Sequence, residues 1–142
     1  MQAGEIYRIE NFYVDTASGQ ALPKYLMVLA LPVGGDIVAR LLTSRHAPER
    51  PEAPPCHHGD PYAGFYLGIP GDPLTSKTWL DLRAFDDIEV NRFQQQLQQG
   101  GATRVATVSA ATLRAALECA AAANDTTRQQ TRHILDQLAE LG

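Results

Sequence analysis

The sequence predicts an α+β domain in which a small closed or half-closed β-barrel is followed by C-terminal helices. Two changes of pattern along the chain point to it. Residues 4–82 divide into short apolar or alternating runs separated by turn formers, which is the signature of strands. Residues 90–141 change to helical spacing with capping residues. The chain has 142 residues, 44% hydrophobic and 20% charged, which suits one domain over 1–142 that buries its own core. Five or six short strands favour closure, because a closed sheet leaves no edge for another chain to pair with. The expected layout is a barrel over about residues 3–108 and helices over about 109–141.

The elements follow in order. GEIYRIENFYV (4–14) carries Ile6 and Ile9 among aromatics and reads as the first strand. TASGQALP turns the chain at Ser18-Gly19. KYLMVLAL (24–31) is a buried strand stopped by Pro32 and Gly34-Gly35, and DIVARLLTS (36–44) pairs back on it as a hairpin. Residues 45–62 hold five prolines without periodicity, and loops of that length tend to be functional or mobile. AGFYLGI (63–69) and KTWLDL (77–82) are two more strands. VNRFQQQLQQGG (90–101) is a short helix stopped by glycines. TRVATVS (103–109) is a last short strand. Ser109 then caps a helix that carries Leu113 and Leu117. A final helix starts at a capping box of Thr126 and Gln129 and lines up Ile134, Leu138 and Leu141. Its Arg128, Arg132 and Asp136 form a solvated face.

Charge and composition exclude several classes. A net charge of −4, with twelve scattered Lys and Arg residues, argues against a protein that coats nucleic acid broadly, although a local basic cleft remains open. No segment approaches the roughly 20 apolar residues of a membrane helix, so no membrane partner is expected. The N-terminal residues show no basic region followed by an apolar run, so no signal peptide is expected. Cys56 falls in a loop and Cys119 in a helical pattern, so no disulfide framework is implied, which fits a cytoplasmic protein.

The stretch PPCHHGDPY (54–62) raises the question of a metal. Cys56, His57, His58 and Asp60 are all donor types for zinc, but adjacent residues rarely aim at one ion and no second pair is evident elsewhere. A Cys–His nucleophile would need an orienting group and an oxyanion hole that the sequence does not supply. The expectation is a polar rim loop, with no metal and no cofactor.

The order of pieces carries a resemblance. Gly4-Glu5-Ile6-Tyr7 opens the first strand, Lys24 opens YLMVLAL, Thr43-Ser44 ends DIVARLLTS, Asp81 and Arg83 stand in TWLDLRAFDDI, and Val108-Ser109 precedes the last helices. In that order, over about residues 3–123, the chain resembles the MazF/PemK family of toxin endoribonucleases, which have an SH3-like barrel. The resemblance implies a homodimer that cuts single-stranded RNA without a metal and is held in check by an antitoxin protein. In that chemistry the ribose 2′-hydroxyl attacks the adjacent phosphate and leaves a cyclic phosphate. It needs a base for the 2′-proton, an acid for the leaving oxygen, and donors for the phosphorane oxygens.

Carried onto this sequence, the resemblance assigns catalysis to Lys24, Thr43 and Arg83 and RNA binding to Ser44 and Asp81, while position beside that cleft adds His46 to catalysis and Arg45 and Tyr62 to RNA binding. Lys24-Tyr25 stands where the family has Arg-Pro. Lysine neutralises a phosphate but lacks the planar two-pronged contact of arginine, and in a dry cleft it titrates nearer neutrality. His46 suits a proton carrier near neutral pH. Each residue also has a plain structural reading. Thr43-Ser44 is a strand end, Asp81–Arg83 an ion pair, and His46 a loop histidine. Trp79, Phe65 and Tyr66 are core aromatics, with Tyr62 the one best placed to stack a base. The competing class is a catalytically silent barrel that binds a protein or nucleic acid. A third reading is a topoisomerase poison, as in a related barrel family.

Overall fold

The computed structural model describes all residues, 1–142. Seven strands form one antiparallel sheet: β1 (Glu5–Val14), β2 (Ala21–Ala30), β3 (Val38–Thr43), β4 (Cys56–His57), β5 (Gly64–Gly68), β6 (Thr78–Asp81) and β7 (Ala102–Thr107). Three helices complete the chain: α1 (Val90–Gln98), α2 (Ala110–Ala121) and α3 (Arg128–Glu140). The α+β class is therefore as expected. No helix is long and apolar enough to cross a membrane.

The strand order is β4-β5-β6-β3-β2-β1-β7, so β4 and β7 are the two edges and do not pair. The sheet is open where a closed barrel was one expectation. Two features keep the edges apart. The β4 edge is only two residues long, and α2 packs against both β4 and β5. Short, covered edges need no closure.

The sheet is apolar on both faces, because strand side chains alternate and each face has its own cover. On one face, Ile6, Met27, Leu29, Val38, Leu42, Phe65, Leu80 and Leu82 pack with Leu113, Ala116, Leu117 and Ile134 of α2 and α3. On the other, Tyr7, Ile9, Leu26, Val28, Ile37 and Ala39 pack with Phe93 of α1. Trp79 and Phe65 are core residues, 0% and 3% exposed, as their alternation in strands suggests.

The GEIY segment has a structural explanation of its own. Gly4 adopts φ +91°, and a Cβ there would press on the side chains of Val108 and Leu113 at 3.3 Å. Glu5 is buried and accepts hydrogen bonds from Gln2 N, the Tyr7 hydroxyl and Arg104. Burial would raise its pKa, but these donors outweigh it and hold the carboxyl below its ordinary value. Burial and the Glu5 carboxylate push the Tyr7 hydroxyl up to about 12.

Gln130 joins α3 to the sheet. Its side-chain oxygen accepts from the buried Arg40 and from Thr127 N, and its amide donates to Phe85 O and Asp87. Burial lowers the pKa of Arg40, with the charges of Asp87, Asp81 and Asp125 opposing.

The capping residues mostly match expectation. Ser109 caps α2 by accepting from Thr112 N. The box of α3, however, is Thr127 with Gln130, one residue later than the sequence spacing suggested. Thr126 is otherwise engaged, since its hydroxyl donates to Ala120 O near the end of α2 at 2.7 Å. Replacing Thr127 by Ala is expected to cost about 1 kcal/mol, read as a lower urea midpoint at unchanged slope. The same loss from Thr126→Ala alone, with Thr127→Ala neutral, would contradict this assignment.

Candidate functional site

The segment between β3 and β5 carries part of the site, Arg45, His46, Arg50 and Tyr62, and is tightly held. It holds a single 3-10 turn (Ala47–Glu49) and strand β4, so it is not the structureless loop that its prolines suggested. Trp79 Nε1 donates to Pro51 O at 3.2 Å, Arg50 Nε to Arg45 O at 3.0 Å, and Tyr66 N to Pro55 O at 2.9 Å. Lys77 pairs with Glu52 at 2.7 Å.

This segment folds its cations onto the sheet around Tyr62. The Arg83 guanidinium lies 3.7 Å from the Tyr62 ring centre and that of Arg50 4.2 Å. Both guanidinium groups are within cation–π range of the ring. His46 meets the same ring edge-on, with centroids 6.2 Å apart. Tyr62 thus contacts Arg50, Arg83 and His46.

Arg83 is oriented twice over. Asp81 accepts from Arg83 N, Nε and Nη2, the last at 2.7 Å. The Asp81 side chain is 9% exposed and that of Arg83 56%, so the pair presents its cation outward. The hydrogen bonds that Arg83 donates to Asp81 raise its pKa.

Arg50 is the member that sequence reasoning missed. It is 4% exposed, and neither Nη atom has a hydrogen-bond partner. Its charge is held by Tyr62 and by Trp79, 5.9 Å away. Space for it depends on Gly64, because a Cβ there would come within 2.9 Å of Arg50 Nη1. A lone Arg between prolines gives no sequence signal for such a role.

Lys24, on β2, faces this group. Burial lowers its pKa first, the charges of Arg45 and Arg83 lower it further, and Asp81 partly opposes them. Its ammonium lies 5.4 Å from the Tyr13 ring centre. Lys24 thus lies within electrostatic reach of Arg45, Asp81 and Arg83, while His46 meets the Tyr62 ring that Arg83 covers. In a chain of net charge −4, Lys24, Arg45 and Arg83 are grouped with Asp81, and Arg50 and Arg83 both lie against Tyr62.

Thr43 and Ser44 stand slightly apart. They line a cleft of about 190 Å³ with Tyr25, Leu42 and residues 73–76 and 78. Asp81 and Arg83 line a different one of about 250 Å³ with Leu41, Ala84 and Phe85. The Thr43 hydroxyl oxygen accepts from Arg45 N at 3.1 Å, which fixes the turn into the cationic segment.

Cys56 and Cys119 are joined by a disulfide spanning 63 residues, and no cysteine is free. This corrects the expectation of unpaired thiols. The two lie far apart in sequence, but β4 runs along the sheet edge on which α2 packs. His58 Nε2 lies 3.3 Å from Cys56 Sγ and 3.8 Å from Cys119 Sγ. The three donor atoms lie within 4.8 Å of one another. The visible signal was Cys56 and His58 two apart, a spacing that puts both on one face of a strand and turns His57 away. What could not be seen was the third donor from α2. Comparison with protein-family models, with curated proteins and with solved structures gave no match.

Proposed function

We propose that the chain is a MazF/PemK-like, metal-independent endoribonuclease that cuts single-stranded RNA through attack of the 2′-hydroxyl. What supports this reading is the grouping of half-buried Lys24 with Arg45, Arg83 and Asp81, in which burial and the cationic neighbours lower the lysine's pKa. A lysine whose burial and cationic neighbours favour its neutral form serves as a base for the 2′-proton. Arg83, held outward by Asp81, offsets the charge that develops on the phosphorane oxygens. Arg45 and the buried Arg50 add positive potential that draws the phosphate backbone in. His46, beside Tyr62, supplies a proton to the leaving 5′-oxygen. Thr43 and Ser44 hold the strand-end turn and contact the adjoining nucleotide. The open sheet stands in this reading for an opened-out version of the barrel, with a second copy of the chain and an antitoxin as partners, and the cytoplasm as the setting.

A second reading has an observation of its own. Tyr62 is packed against two arginines, Arg83 is bound to Asp81, and Thr43 lines a separate cleft. That much internal pairing suits a catalytically silent barrel whose cationic face binds RNA or an acidic protein segment.

One assay separates the two. Purified protein is incubated with a long unstructured RNA in excess chelator, beside Thr43→Ala and Lys24→Met controls. The nuclease reading expects cuts that leave cyclic phosphate ends, weakened in Thr43→Ala and lost in Lys24→Met. Intact RNA that still binds the protein, with binding weakened by Arg83→Ala, would leave the silent module standing.

A further inference from the structure

We propose that Cys56, Cys119 and His58 form a redox-gated site for zinc, closed to metal as the disulfide and opened by reduction. The inference does not depend on the nuclease reading.

The donor set and its spacing carry the argument. Two thiolates and an imidazole are zinc ligands, with Zn–S near 2.3 Å and Zn–N near 2.0–2.1 Å. In a tetrahedral site those lengths put an imidazole nitrogen about 3.5 Å from each thiolate sulfur. His58 Nε2 stands 3.3 and 3.8 Å from the two sulfurs. The imidazole is thus already at ligand spacing from both. Only the sulfur–sulfur bond is incompatible with an ion, and breaking it lets rotation about each Cα–Cβ bond part the sulfurs.

The surroundings suit a bound ion. Cys119 is 2% exposed and rests on α2, a rigid support, while Cys56 is fixed by the β4–β5 pairing. His58 is exposed, which leaves the fourth position open to water. Asp60 and His57 are not among the converging donors. His57 Nδ1 accepts from Gly59 N and belongs to the turn.

The chemistry balances with a thiol reductant as co-reactant. Two reductant thiols are oxidised to their own disulfide and the Cys56–Cys119 bond is reduced to two thiols. The ion then displaces one proton from each thiol. Two thiolates and a neutral imidazole leave the zinc complex without net charge. His58 Nε2 gives its lone pair to the metal, so its proton sits on Nδ1. Oxidation reverses the sequence and releases the ion.

The test uses the full chain with Co²⁺ as a spectroscopic stand-in. Reduced protein is given one equivalent of Co²⁺ without oxygen, and circular dichroism follows the fold. The expected result is thiolate-to-cobalt charge-transfer absorption with strong tetrahedral bands, both abolished by Zn²⁺ and both absent in the disulfide form. His58→Ala, at an exposed position, is expected to weaken Co²⁺ binding by more than about tenfold, since losing even a ligand's outer hydrogen-bond partner costs about 10–100-fold. If the reduced chain loosens without metal, refolding on Co²⁺ supports the site, because metal binding and folding are then coupled. Absence of the charge-transfer band in reduced protein, binding without refolding, or equal affinity in His58→Ala would each overturn it and leave a permanent structural disulfide.

Discussion

Reducing the Cys56–Cys119 bridge in a metal-free buffer is expected to lower the stability of the chain by about 4 kcal/mol. The estimate follows from the loop that the bridge closes, 63 residues in sequence separation, and from the entropy that closure removes from the unfolded chain. The native side adds to this expectation. The bridge ties the short edge strand β4 to the C-terminal part of α2, and α2 supplies Leu113, Ala116, Leu117 and Ala120 to the larger core. Releasing it loosens the edge that most needs cover. Urea unfolding with and without a phosphine reductant measures the effect, and a shift worth less than about 1 kcal/mol would mean the reduced unfolded chain is already compact. The cationic group around Tyr62 is held by its own contacts, namely Arg50 to Arg45 O and Arg83 to Asp81. RNA binding in the absence of urea is therefore expected to survive reduction.

The elements that were legible in the sequence are those whose signal is local. The helices announced themselves through Leu113 and Leu117, through Ile134, and through the Ser109 cap, because period and capping are properties of neighbouring residues. The strands over 24–31 and 36–44 were legible as apolar runs bounded by Pro32, Gly34 and Gly35. What was not legible depends on pairings distant along the chain. The open sheet follows from β4, a two-residue strand inside a proline-rich segment with no pattern to betray it. The disulfide and the His58 cluster needed α2 to be placed on that edge. Arg50 needed Gly64 and Tyr62 on either side of a fold not yet formed. Lys24, Arg45, His46, Asp81 and Arg83 had been singled out from the sequence, and they lie within β2, just past the end of β3, and at and just past the end of β6. The order β6-β3-β2 makes β3 the neighbour of both other strands.

Lys24 offers the sharper functional test, because its two roles make opposite demands on pH and on charge. As a general base, it must be neutral to accept the 2′-proton. Burial and the charges of Arg45 and Arg83 favour the neutral form, so its pKa lies below the 10.5 of an ordinary lysine. Cleavage is then expected to rise with pH and level off above that lowered pKa, until loss of a needed proton elsewhere brings it down. Lys24→Met removes both charge and base, and a loss of about 10²–10⁴-fold in rate is expected, the usual worth of a positioned proton carrier. Lys24→Arg separates the roles. It keeps the positive charge but cannot deprotonate in a protein, so it should be as slow as Lys24→Met if the proton transfer matters. If Lys24→Arg instead restores the wild-type rate and the rising limb persists, Lys24 serves only as a cation beside the phosphate. The base must then be sought in His46, whose ring meets that of Tyr62 on the same rim.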